Sequence, residues 1–291
     1  MKTLLYSFIG CVAVFPAGAA LPFYEPFDYP IGVDLVGQGP SGGTDLWAAT
    51  GTSGASGSDA ITVAGGSLSV PGLAGSSGNS ITYGGLGLTD RISIGTPVTS
   101  GTLYYSFAFS VTDLSGLNAS GGFMAGFNTA VGTQAGQPTT VGARLLTRMS
   151  ANGFQIGIEK NSGTAANFTF DNTEHGVGDT IFVVGSYTFS AGAGNDQTLL
   201  WVNPDPASFG LGSAPAPTIT ATLGGTDLSP SIASFLFRQG NATTVPAAVV
   251  ADELRVDTTW AGVTPVPEPA SALLLTLAGT GLLVRRRGSR R

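Results

Sequence analysis

Between residues 21 and 264 apolar side chains recur at every second position, and no comparable stretch carries the three-to-four spacing of an amphipathic helix. Leu103, Tyr105, Phe107, Phe109 and Val111 share one face of a strand, opposite Tyr104, Ser106, Ala108 and Ser110. Phe154, Ile156 and Ile158 alternate with Gln155, Gly157 and Glu159; Ile181, Val183, Tyr187 and Phe189 alternate with Phe182, Val184, Ser186 and Thr188. Further strands are expected at 61–63, 67–70, 80–83, 141–149, 167–170, 198–202, 217–223, 232–238 and 249–256. Glycine pairs such as Gly65-Gly66 and Gly84-Gly85 punctuate the joints. With 44 glycines and no G-X-Y period, coiled coil and collagen are both excluded. Many short strands between turn clusters predict an all-β fold, a β-sandwich, with its first and last strands, around 23–29 and 252–256, paired.

Residues 21–264 hold 17 of the 18 acidic residues and six of the 12 basic ones, so this body carries −11 against −6 for the whole chain. Such a surface lacks the basic footprint that nucleic acid needs. The body is long enough for one large core, and one domain over 21–264 is expected. Cys11 is the one cysteine, so stability must come from sheet packing without cross-links.

The two ends read as addresses. Lys2, the apolar run Leu4 to Phe15 and the small residues Ala17-Gly18-Ala19-Ala20 form a secretory signal peptide over 1–20, with signal peptidase expected to cut after Ala19 or Ala20. An acylated-cysteine reading at Phe8-Ile9-Gly10-Cys11 would leave apolar Val12 to Phe15 without a role. At the far end Val266-Pro267-Glu268-Pro269 precedes an uncharged segment, 270–284, and then Arg285-Arg286-Arg287-Gly288-Ser289-Arg290-Arg291. Fifteen helical residues span only about 22 Å, so 270–284 is a short transmembrane helix that needs arginine snorkelling or local thinning. The arginines fix it with the body outside and the cluster in the cytoplasm.

Motif, apolar helix and arginine cluster together resemble the PEP-CTERM sorting signal of Gram-negative bacteria, over 265–291. The resemblance implies processing by an exosortase and transfer to the cell surface or extracellular polymer matrix. Glu268 is then the recognition residue, Pro267 and Pro269 keep the cleavage region accessible, and Arg285, Arg286 and Arg287 hold the tail. Within the body, Glu25-Pro26-Phe27-Asp28-Tyr29, Leu200-Trp201-Val202-Asn203-Pro204 and Asp252-Glu253-Leu254-Arg255-Val256 with Trp260 resemble laminin-G and concanavalin-A-like jelly rolls. Many of those domains bind glycans, but fold alone does not carry function.

The search for chemistry is mostly negative. His175, the one histidine, lies in the polar turn Asp171-Asn172-Thr173-Glu174-His175-Gly176 with no G-x-S-x-G elbow, and reads as a solvated loop residue. Glycosidases need two carboxylates across a cleft. No E-x-D-x-x-E arrangement exists, and adjacent Asp252 and Glu253 are expected on opposite faces of a strand. The body is therefore expected not to be an enzyme. No cofactor is expected; calcium could draw oxygens from Asp171-Asn172, Asn195-Asp196 and Asn203-Pro204-Asp205, which turn formation equally explains. Trp47, Trp201, Trp260 and Tyr104 are the candidate sugar-stacking rings, of which Tyr104 alone sits on the polar face of its strand, while Trp201, within Leu199-Leu200-Trp201-Val202, reads rather as core or inter-sheet packing. The sum is an exported structural or adhesive sandwich. A lectin-like glycan binder is the alternative, with extracellular polysaccharide as its partner, followed by a glycoside hydrolase or lyase of the same fold.

Overall fold

A computed structural model describes residues 21–40, 45–51, 59–161, 164–221, 224–240 and 244–267. Both terminal helices expected from the sequence lie outside the described residues, as do Ala19, Ala20, Glu268, Pro269, Arg285, Arg286 and Arg287. Among the described residues no helix is long and apolar enough to cross a membrane.

The described residues form fifteen strands in order: β1 Phe23–Glu25, β2 Ala48–Thr50, β3 Thr62–Ala64, β4 Ser80–Tyr83, β5 Thr89–Val98, β6 Gly101–Asp113, β7 Gly122–Asn128 and β8 Val141–Met149. There follow β9 Phe154–Glu159, β10 Thr169–Phe170, β11 Ile181–Phe189, β12 Gln197–Val202, β13 Ile219–Ala221, β14 Ile232–Phe237 and β15 Ala248–Asp257. One helical turn, α1 Trp260–Val263, closes the body. Two expected strands are corrected. Residues 67–70 form no strand, and Leu68 N–H instead donates to the Asp252 carboxylate at 2.7 Å. The stretch 167–170 keeps only β10, because Ala165–Asn167 winds into a 3₁₀ turn.

Two antiparallel sheets face each other. Sheet I runs β13-β12-β11-β6-β15-β4-β3, with β1 also on β15; sheet II runs β10-β9-β8-β7-β14-β5-β2. The first and last strands pair as expected, Phe23 opposite Val256 and Glu25 opposite Leu254. Alternation along β6 sends Leu103, Tyr105, Phe107, Phe109 and Val111 inward, where they meet Phe127, Phe235 and Phe237 of sheet II. Burial of these large rings is the main term holding the sheets together. Gly185, opposite Tyr105 on β11, leaves the room that the Tyr105 ring occupies, and the Tyr105 hydroxyl donates to the Ala143 carbonyl at 2.9 Å across the core.

The outer face of sheet I is not solvent. Phe182, Val184, Trp201, Phe209, Trp260, Val263 and Leu73 make a second apolar layer there, formed by α1 and the segments around 73 and 209. Ser106, on the polar side of β6, donates to the Val263 carbonyl at 2.6 Å and anchors that layer. Sheet II lies on the far side of the main core, so its outer face is the one left to position polar chemistry.

Candidate functional site

Aromatic residues singled out from the sequence prove to be packing. Trp47, Trp201 and Trp260 are 1–2 % exposed. Their indole N–H groups are all consumed, by Glu25 at 3.0 Å, the Pro215 carbonyl at 2.9 Å and the Ser208 carbonyl at 2.8 Å. Tyr104 does face outward from β6, but what it meets is Trp201 and Trp260. The expectation of sugar-stacking rings is corrected at Trp47, which packs against Phe27 and Phe237 in the main core, and at Trp260 and Tyr104, which belong to the layer over sheet I; Trp201 packs there as its apolar surroundings suggest.

His175 is corrected too. Its backbone pairs with Phe154 in a short bridge, its ring lies 5.7 Å from the Phe154 ring, and it is 8 % exposed. Burial pushes its pKa down. The loop oxygens considered for calcium close turns. Asp171 accepts from Asn172 N–H, Asp196 from Ser190 N–H and the Tyr187 hydroxyl, Asn203 from Phe182 N–H and Asp205 from Ala207 N–H. Among the described residues no three His, Cys, Asp or Glu side chains converge. Of the sorting residues, Val266 and Pro267 are described and exposed, just after Pro265, whose carbonyl accepts from Ala74 N–H at 2.7 Å.

Asp252 and Glu253 depart from the expected alternation. The register of β15 on β6 shifts between Asp252 and Arg255, and Glu253 takes a left-handed φ of 60°. A β-bulge of this kind re-aims side chains. Both carboxylates now grip the same overlying segment. Asp252 accepts from Ser67 Oγ–H and Leu68 N–H, and Glu253 from Ser77 N–H at 2.9 Å and the Tyr24 hydroxyl at 2.9 Å. Arg255 sits 2.8 Å from Glu253 Oε2 as an ion pair and stacks on the Tyr24 ring. Burial, opposed by hydrogen bonds from Ser67, Leu68 and Glu253 and reinforced by the Glu253 charge, pushes Asp252 up to about 7.

The outer face of sheet II carries the arrangement that the sequence reading missed. Phe170 lies opposite Gly157, Gly157 opposite Leu146, and Leu146 opposite Phe123, one row running across β10, β9, β8 and β7. The Phe170 ring settles onto Gly157, where an added Cβ would come within 2.6 Å of it. Leu146 is covered, whereas Phe123 and Phe170 at the two ends are half-buried.

Guanidinium groups lie over both rings: Arg148 at 4.3 Å from the Phe170 centroid, and Arg238 at 4.2 Å and Arg144 at 4.8 Å from that of Phe123. Arg144 is anchored. It donates to the carbonyls of Val141 and Thr139 and pairs with Glu159 at 3.1 Å. Arg91, on the same face of β5, gives four hydrogen bonds to Gly132, Asn128, Gln134 and Val131 and fastens the β7–β8 connection. Four of the six cations in 21–264 thus occupy one sheet face of an acidic body. With the rings covered in this way, what the surface offers a ligand is guanidinium N–H groups, which can donate hydrogen bonds to sugar oxygens.

Neither a protein-family profile nor a curated protein sequence matches the chain. Among solved structures it is similar to the alginate lyase Aly36B, at 14% identity over 62% of this chain and 81% of that one, TM-score 0.40. It is also similar to domain 4 of AbnA, a GH43 extracellular arabinanase from Geobacillus stearothermophilus, at 12% identity over 76% and 87%, TM-score 0.41. Against Trypanosoma rangeli sialidase the identity is 11% over 70% of this chain and 29% of that one, TM-score 0.39. The expectation that the body is not an enzyme is corrected at this point. It rested on placing Asp252 and Glu253 on opposite faces of a strand, and that premise fails at the bulge.

Proposed function

We propose that this is an exported β-sandwich of jelly-roll type that engages polysaccharide on the outer face of sheet II and so acts adhesively at the cell surface or in the extracellular matrix. The observation that carries the proposal is the cross-strand row Phe170-Gly157-Leu146-Phe123 with guanidiniums on both terminal rings. Guanidiniums held over rings on a rigid sheet lose little entropy when their N–H groups donate to sugar oxygens. Phe123→Ala with Phe170→Ala is expected to weaken binding to immobilised polysaccharides about tenfold or more, measured by affinity electrophoresis alongside a thermal melt; unchanged retention would remove the site. Glycan processing is the second reading, although Asp252 and Glu253 are buried under the 67–77 segment and offer it no accessible carboxylate pair. Reducing ends or unsaturated products released in the same incubation would decide for it.

Export and sorting rest on the sequence pattern at the two ends. Signal peptidase removes 1–20, the segment 270–284 tethers the chain in the inner membrane, and an exosortase-type enzyme acts at Val266-Pro267-Glu268-Pro269. Replacing Pro267, Glu268 and Pro269 by alanine is expected to leave the protein in the membrane fraction at its unprocessed mass. Normal processing and surface delivery of that variant would overturn the assignment.

A further inference from the structure

Arg238 differs from its neighbours on sheet II in what it leaves unused. Its NH1 donates to the Phe123 carbonyl at 3.2 Å, and among the described residues this is its one hydrogen bond, although a guanidinium carries five N–H groups. Among the described residues it also has no salt bridge. Arg144, on the same ring, is neutralised by Glu159 and held by two carbonyls. Burial first, and then the charge of Arg144, bring Arg238 down to about 10. A cation partly removed from water with a like charge beside it costs free energy until an anion arrives.

The pattern repeats at the other end of the row. Arg148 lies over Phe170 and, among the described residues, gives one hydrogen bond, from Nε to Gln155 at 2.9 Å. The two rings stand three strands apart, roughly 14 Å, at the usual strand spacing. That is far enough to engage more than one sugar ring of a linear chain.

We propose that the outer face of sheet II recognises the carboxylates of an acidic polysaccharide, a polyuronate, with Arg238 and Arg148 as the two forks that grip them. The inference rests on the polysaccharide reading above and adds the charge class of the ligand. A planar guanidinium stacked on a ring presents paired N–H donors in the geometry of a carboxylate, which an ammonium does not. In a body of net charge −11, an acidic chain would be repelled everywhere except along this row.

The test titrates the full-length protein with polygalacturonate, dextran sulfate and dextran, at low and at high salt. Polygalacturonate is expected to bind, with affinity falling as salt rises. Arg238→Gln, Arg148→Gln and Arg238→Lys are each expected to lose about tenfold or more; the two positions give independent variants should one fail to fold. Dextran bound as tightly as polygalacturonate would overturn the charge assignment and leave the polysaccharide reading standing. Dextran sulfate bound without polygalacturonate would overturn the carboxylate assignment, and wild-type affinity in both glutamine variants would overturn the role of the arginines. Failure of all three glycans to bind would sink the polysaccharide reading together with this one.

Discussion

Phe237→Ala is expected to destabilise the protein by about 3–5 kcal/mol, the cost of deleting a fully buried aromatic ring. The ring leaves β14 of sheet II and meets Phe107 and Tyr83 of sheet I at 5.3 and 5.2 Å. It also touches Phe235, Trp47 and Phe27 at 5.2, 5.8 and 6.2 Å. Two of these partners lie on the opposite sheet and two on the N-terminal segment, so its removal opens a hole where three parts of the structure join. Collapse around the hole is hindered because the neighbours are themselves large rings in tilted and edge-to-face contact. Urea denaturation should show the lowered midpoint. A loss below about 1 kcal/mol would mean that these rings repack freely and that the sheets are held elsewhere.

Stability is also expected to fall as pH rises from about 4 to about 7. Asp90 and Asp252 are each pushed up to about 7, Asp90 by burial and then by the charge of Asp34, Asp252 chiefly by burial. An unfolded aspartate releases its proton near 3.9, so across this window the native state holds more protons than the unfolded one. The sign follows from linkage: each group contributes fully below the unfolded value and loses that contribution as pH rises through the folded value, by at most about 1.4 kcal/mol per pH unit. Burial of Glu25 acts in the same direction. Asp227, lowered in the native state by Lys160 and two backbone N–H groups against the effect of its own burial, acts in the opposite one. Asp90→Asn and Asp252→Asn should each flatten the profile between pH 5 and 7.5. A wild-type profile that rises over that interval would contradict the burial of these two carboxyls as the dominant electrostatic effect.

The strands readable from the sequence were those whose two faces differ. On β6, inward Leu103 to Val111 and outward Ser106 and Ser110 stand apart, and β8, β9, β11 and β15 announce themselves in the same way. Strands β5 and β7 did not. Thr89 to Ile92 are buried on both faces, Asp90 inward among apolar residues and Arg91 outward under the β7–β8 connection, so polarity does not alternate. Gly122–Asn128 is interrupted by register shifts on either side of Ala125. These two strands carry Arg91 and Phe123, which is why the face they help to build went unseen.

One signal was available: Arg144 and Arg148 have the same parity on β8, and Gly157 holds the gap between inward Ile156 and Ile158. What local sequence could not disclose is the lid on sheet I. That layer comes in large part from segments around 73 and 260, distant in the chain from Trp201 and Tyr104, which they help to cover. The Asp252–Glu253 bulge was hidden for a related reason, since the left-handed glutamate is fixed by its partners at 24 and 77 and the aspartate beside it by Ser67.

The outermost strands of the two sheets, β3, β13, β2 and β10, have three, three, three and two residues. A sandwich crowded among its own copies, with no cross-link to keep partly opened molecules apart, is exposed to strand-by-strand recruitment into fibrils. Recruitment needs a long row of free N–H and C=O groups as its template, and rims this brief offer almost none. Crowding of many copies can therefore proceed without seeding amyloid, so long as the longer inner strands stay shielded behind these stubs.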